Sequence, residues 1–247
     1  MPRIAYKYKA WDKFAKRIIT RRELYFANPL TFNDIFDCQA LGIVKDYKFA
    51  GYPLRITEER KLQFYKVNPI VFLNDYMRQK IAEHGICCFS KSYDSILMWS
   101  HYADYNRGVC FKFDVDIIES KISGLFENVT YVKKKPTYDF KNPEEDKSKW
   151  FFYKNRVWKY EKEVRGLIFP PNITKDEKYR KVKFPKDALK EIIFGANTDK
   201  HIYDEIICLC HKHGFSKVKF SFIKATTNSD SYKLQKMPYN RNLMAKK

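Results

Sequence analysis

The amino-acid sequence predicts an α+β fold in which a mixed or mainly antiparallel sheet packs against helices. Three observations carry this expectation. Short apolar runs of strand length recur along the chain, beginning at residues 4–8, and helical patterns fall between some of them without strict alternation. Residues 191–194, 200–213 and 217–223 read as strand, helix and strand, a crossover unit whose neighbours are expected to be antiparallel. Between the aromatic-rich segments no Gly/Ser linker intervenes, so residues 1–247 are expected to form one domain.

Residues 4–8 alternate as a strand and lead into an amphipathic turn region around Trp11, Phe14 and Ile18. A second strand at 23–27 is ended by Asn28-Pro29. Residues 31–37 then form a shaped loop: Thr31, Asn33, Asp34 and Asp37 can bond their own backbone while Phe32 and Phe36 anchor it. Residues 57–84 carry a helical pattern, with Asn68-Pro69 supplying a cap and a favourable first position and Gly85 closing it. A short apolar strand at 86–90 precedes a helix at 94–104 bearing Leu97, Met98, Trp99, His101 and Tyr102. Residues 108–113 and 129–133 return to strand character, and 133–149, rich in lysine and holding Pro136 and Pro143, reads as an exposed excursion. Dense packing resumes at 150–153, and the stretch after 224 is expected to be a peripheral tail.

Composition narrows the class. The 247 residues include 20 Phe, 18 Tyr and 4 Trp against 8 Gly and 10 Pro, which argues against disorder. Nothing near the N-terminus resembles a secretory apolar segment, so the 6 cysteines are expected as free thiols in a reducing, cytoplasmic setting. No run approaches the roughly 18 apolar residues of a membrane span. A formal net charge of +19 favours nucleic acid or phosphorylated ligands, although a basic surface also serves without any such partner.

Common catalytic signatures are absent: there is no Walker loop, GxGxxG fingerprint, HExxH or GxSxG elbow. Cys208, Cys210, His211 and His213 are the nearest approach to a metal set, but Cys208 and Cys210 project to different sides of a helix, and no metal is expected. Strand alternation likewise sends Cys87 and Cys88 to opposite faces. Ser90 ends its strand beside a turn, where its hydroxyl can order a ligand or cap the next segment. His101 has a proton-transfer range near neutrality but no sequence-local nucleophile beside it. The most informative polar run is 154–165. If extended structure begins near Tyr160, then Glu161, Glu163 and Arg165 share one strand face, where they can orient ribose or phosphate oxygens or simply pair with one another.

These features, in order, resemble the bacterial family described as domain of unknown function 2971. The resemblance runs from Tyr6-Lys7-Tyr8 through Leu24-Tyr25-Phe26, Asn28-Pro29, Phe32-Asn33-Asp34 with Phe36-Asp37, and Cys88-Phe89-Ser90. It continues through Met98 to Asp104, Gly108-Val109-Cys110, Val129-Tyr131, Lys154, Trp158, Tyr160-Glu161, Glu163 and Arg165, and ends at Glu191 to Gly195. Ile35 stands where that first loop often has proline. The chain is also similar to ADP-ribosyltransferase-like proteins, in which an early strand, a middle strand ending in a hydroxyl residue and a later glutamate enclose an NAD-binding cleft. That likeness implies an ADP-ribosyltransferase-like version of the fold. It also implies Glu163 as the catalytic carboxylate and Lys7, Tyr8, Ser90, Tyr102 and Arg165 as NAD-binding residues. The histidine or arginine usual in the first element is absent, Tyr8 or Lys7 standing in its place.

Two functions follow as expectations. One is an NAD-dependent ADP-ribosyltransferase or NAD glycohydrolase acting on a protein or nucleic-acid acceptor, with Glu163 stabilising positive charge as the glycosidic bond breaks. The other is a non-enzymatic nucleic-acid-binding or phage-defence-associated interaction protein that uses Tyr131, Lys133, Lys134 and Lys135 in an exposed groove.

Overall fold

The computed structural model describes residues 2–38, 78–79, 81–134, 147–169, 177–226 and 230–239. In chain order its elements are β1 (Ile4–Lys9), α1 (Lys13–Thr20), β2 (Glu23–Tyr25), β3 (Gly85–Ser90), α2 (Ile96–Tyr102), β4 (Val109–Asp114), α3 (Val115–Glu119) and β5 (Gly124–Asn128). There follow β6 (Thr130–Val132), β7 (Tyr153–Asn155), β8 (Glu163–Ile168), β9 (Lys181–Lys183), β10 (Leu189–Phe194), α4 (Lys200–Lys212), β11 (Lys219–Ala225) and β12 (Leu234–Pro238). Most of the expected helical stretch 57–84, with its Asn68-Pro69 cap, and residues 135–146 of the lysine-rich excursion lie outside the described residues.

The chain has an α+β fold with a mixed, mostly antiparallel sheet. Among the described residues eight strands run in the order β12-β11-β10-β4-β1-β3-β8-β5, and of these only β10 and β11 are parallel neighbours. Parallel neighbours need a crossover, and α4 supplies it. Two small ribbons, β2 with antiparallel β9 and β6 with parallel β7, lie beside the main sheet.

Alternation along the strands divides the interior. On one face Ala5, Phe89, Phe111, Phe113, Ile192 and Phe194 pack with Ile18 and Ile19 of α1 and Ile206 and Cys210 of α4. Asp12 starts α1 by accepting from the backbone of Phe14 and Ala15, so this region is a capped helix rather than a turn, with Phe14 turned outward. The buried stripe of α4 is Tyr203, Ile206 and Cys210. It is centred one position from the expected Ile202, Ile206, Leu209 and His213, because the Tyr203 ring packs 4.6 Å from that of Phe194.

On the opposite face Tyr6, Tyr8, Cys110 and Ile193 receive Met98 and Trp99 of α2. Ser95 caps α2 at Met98, and the Trp99 indole donates to the carbonyl of Tyr93 at 2.7 Å. Residues 234–238 of the expected tail are edge strand β12, so that segment is peripheral but bonded to β11. No helix among the described residues is long and apolar enough to cross a membrane.

Candidate active site

β1 is bonded to β4 along its whole length, from Ile4 opposite Asp114 to Lys9 opposite Val109. To β3, on its other side, it is joined at the single register pair Tyr6 and Ser90. Beyond that pair the sheet parts. The Cys88 carbonyl, which a continuing ladder would have bonded to β1 backbone, accepts instead from Lys7 Nζ at 2.9 Å. A pocket of about 300 Å³ occupies the split, lined by Tyr6 to Lys9 of β1, Cys88 and Phe89 of β3, Phe32 and Asn33 of the first loop, Tyr102 of α2, and the charged side chains Asp37, Lys154, Glu161 and Glu163. This size falls at the lower end for small-molecule sites.

β3 and β8 hold full register, from Gly85 opposite Ile168 to Ser90 opposite Glu163. The strand ending in a hydroxyl residue is therefore the immediate neighbour of the strand that opens with the glutamate. Glu161 does not continue this face. Residues Arg156–Glu161 form a 3-10 segment capped by Asn155, and Lys162 takes a left-handed φ of 46°, which stops extended structure short of the expected start at Tyr160. The turn folds Glu161 back toward Glu163. It is fastened to β3 by the Ser90 hydroxyl, which donates to the Glu161 carbonyl at 2.7 Å, and by Lys91 N–H to the Lys162 carbonyl at 2.9 Å.

Three carboxylates and two cations converge here under burial. Lys154 Nζ lies 2.5 Å from Glu161 Oε2, 3.1 Å from Glu163 Oε2 and 3.5 Å from Asp37 Oδ2. Arg165, fully buried, meets Asp37 through Nη1 at 2.9 Å and Nη2 at 2.5 Å, and Glu163 through Nε at 2.8 Å. Its Nη1 also donates to the Phe151 carbonyl at 2.7 Å. The guanidinium fork thus fixes both carboxylate planes. The first loop delivers Asp37 as its polar residues suggest: Asn28 accepts from Leu30 N–H, and Asp34 from Phe36 N–H. Of its two expected anchors only Phe32 faces inward, 5.6 Å from the Arg165 guanidinium, while Phe36 is 53% exposed.

The two glutamates are driven apart in acidity. Burial alone would raise Glu163, but Arg165 and then Lys154 outweigh it and hold the group down at about 2. Burial raises Glu161, against the opposing pull of Lys154 and the hydrogen bond from Tyr102. That bond runs from the Tyr102 hydroxyl to Glu161 Oε1 at 2.6 Å. Burial disfavours the Lys154 ammonium, yet Glu163, Glu161 and Asp37 carry its pKa above the usual lysine value. The pair therefore offers a fixed anion, Glu163, beside a carboxyl that more readily holds a proton, Glu161.

The expected site residues fall into distinct positions. Glu163, Lys7, Tyr8 and Tyr102 line the pocket. The Tyr8 hydroxyl donates to the Ser92 carbonyl at 2.8 Å and its ring stands edge-on to Trp99. Ser90 is buried, its oxygen also accepting from Ser92 N–H at 3.1 Å, so it positions the Glu161 turn. Arg165 supports the carboxylates from behind. Tyr131 is paired with Lys154 in the β6–β7 ribbon and its hydroxyl accepts from Glu163 N–H at 2.7 Å, which places it in this cluster. Lys133 and Lys134 are exposed at the end of that ribbon, and Lys135 lies outside the described residues. Asp37 and Lys154 stand in the sequence reading only as a loop residue and as part of a polar run, without a site role, and Lys9 is not named there, although its alternation with Lys7 on β1 is readable. Among the described residues no group of His, Cys, Asp and Glu is arranged to hold a metal ion.

Residues 98–166 match the family model described as protein of unknown function (DUF2971). The matched stretch contains Tyr102, Tyr131, Lys154, Glu161, Glu163 and Arg165, most of the charged cluster, and excludes β1, Asp37 and Ser90. No curated protein and no solved structure matches the chain.

Proposed function

We propose that the β1–β3 cleft binds NAD and that the chain cleaves its nicotinamide–ribose bond, as an ADP-ribosyltransferase or NAD glycohydrolase. One observation carries the reading. The early strand, the strand ending in Ser90 and the strand opening with Glu163 are successive neighbours in one sheet, and the sheet opens into a pocket between the first two. The pocket wall combines aromatic rings, the cations Lys7 and Lys9, and carboxylates. A ligand with a cationic ring, a ribose and a diphosphate finds a counterpart for each part.

When the C1′–N bond breaks, its electron pair passes to the nicotinamide nitrogen and positive charge develops on the ribosyl carbon and ring oxygen. Glu163, ionised and held immobile by Arg165 and Lys154, meets that charge without reorganising. Glu161 accepts the proton of the attacking water or acceptor group once it is itself ionised. With Arg165 occupied by Asp37 and Glu163, diphosphate contact passes to Lys7 and Lys9.

Incubation of the purified protein with NAD labelled in the nicotinamide ring, alone and with pooled protein or nucleic acid, tests the reading. Release of free nicotinamide is expected. Intact NAD in every arm, together with no NAD binding by calorimetry, contradicts it.

A further inference from the structure

We infer that the solvent face of the β2–β9 ribbon, with the groove at its end, is a docking surface for single-stranded nucleic acid. The groove encloses about 640 Å³ beside Arg21, Arg22, Glu23, Lys183, Lys186 and His213. Its one carboxylate among the described residues, Glu23, is paired with Arg17 at 3.5 Å. Among the described residues no acidic group lies within ion-pair distance of Arg21, Arg22, Lys183 or Lys186. Four cations that come from the end of α1, β9 and the turn after it therefore face one space in excess over the single carboxylate, Glu23, among the described lining residues. Helix ends attract basic residues to offset their exposed carbonyls, which accounts for Arg21 after α1 but not for Lys183 or Lys186.

The ribbon extends the surface. Glu23 pairs with Lys183 and Tyr25 with Lys181, so Glu23, Tyr25, Lys181 and Lys183 share the face opposite buried Leu24, with Glu23 turned to Arg17. Tyr25 is 47% exposed, which leaves an aromatic ring between cations. A positive groove with an accessible ring is the combination that holds single strands, phosphates on the cations and a base on the ring. A bare phosphate or polyphosphate needs the cations but not the ring. Position adds a reason. Extended chain covers about 13 Å in four residues, and four residues after Glu23 comes Ala27, which lines the β1–β3 pocket. A strand lying along β2 would be led to that cleft. This last step rests on the NAD reading, whereas the docking surface does not.

The test is fluorescence anisotropy with a labelled oligothymidylate of about twelve nucleotides across a salt series and without NAD. Replacing Arg21, Lys183 and Lys186 together by glutamine is expected to weaken binding at least tenfold and to flatten the slope of log K against log salt by about two units, at roughly 0.7 per phosphate contact. Tyr25→Ala is expected to weaken oligonucleotide binding about tenfold with an unchanged slope, and to leave competition by inorganic polyphosphate intact. Both variants alter exposed side chains, so circular-dichroism melting should remain as in the parent protein. The inference is overturned if neither variant changes oligonucleotide affinity. It is also overturned if the triple variant loses polyphosphate and oligonucleotide equally while Tyr25→Ala loses neither. Binding that persists in Glu163→Gln separates this surface from the chemistry of the cleft.

Discussion

Ser90 stands directly opposite Glu163 in the β3–β8 ladder, and its hydroxyl reaches past that partner to the carbonyl of Glu161 at 2.7 Å. One buried oxygen thereby fixes the turn that brings the second glutamate to the first. Ser90→Ala leaves the Glu161 carbonyl and the Ser92 N–H short of a partner. A loss of about 1–2 kcal/mol in chemical denaturation is expected. Nicotinamide release should fall mainly through kcat, because the turn carrying Glu161 loses its attachment while the pocket wall stays.

Arg165 is a stronger case because its removal strands charge. Arg165→Met fills similar space but leaves Glu163 and Asp37 buried with only Lys154 between them. Breaking a buried pair from one side costs about 3–5 kcal/mol, to be read as a shift in urea midpoint at constant m-value. Arg165→Lys should recover only part of it, since an ammonium cannot reproduce the fork to both carboxylates.

Stability should also depend on acidity in a defined window. Glu163 is held at about 2 against an ordinary 4.5, so its contribution is complete above about pH 4.5 and disappears as pH falls through about 2. The shift corresponds to on the order of 3 kcal/mol. Glu161, raised by burial, acts in the opposite sense and loses stability as pH rises through its folded value. Lys154, raised by its three carboxylates, contributes fully below about pH 10.5 and loses that contribution above it. Urea titrations between about pH 3 and 7 should show a decline on the acid side that is shallower in Glu163→Gln.

Tyr102→Phe removes a hydrogen bond that favours the Glu161 carboxylate. The acidic limb of the pH–rate profile should move upward, while a purely structural role for Tyr102 would lower the rate without moving the limb.

The sheet elements were legible because alternation is local: β1, β3 and β8 each carry opposite-face side chains readable at a spacing of two. The proximity of Ser90 and Glu163 was an expectation drawn from resemblance, and the ladder places them opposite one another. The position of Glu161 is not legible because strand alternation continues backward only up to Lys162, whose left-handed backbone a window of residue types does not reveal. Asp37 and Arg165 are separated by 128 positions, and no local pattern encodes such a pair. The parting of β1 from β3 is equally non-local, for it depends on which edge Lys7 reaches.

Glu163 acts through its negative charge in the proposed cleavage, and Glu163→Gln removes that charge with little change of volume. Nicotinamide release from labelled NAD should fall by at least a hundredfold in the folded variant, while calorimetric affinity for NAD changes by less than about tenfold, because a carboxamide keeps a hydrogen bond but cannot balance an oxocarbenium-like charge. Release at the parent rate from folded Glu163→Gln would contradict the account.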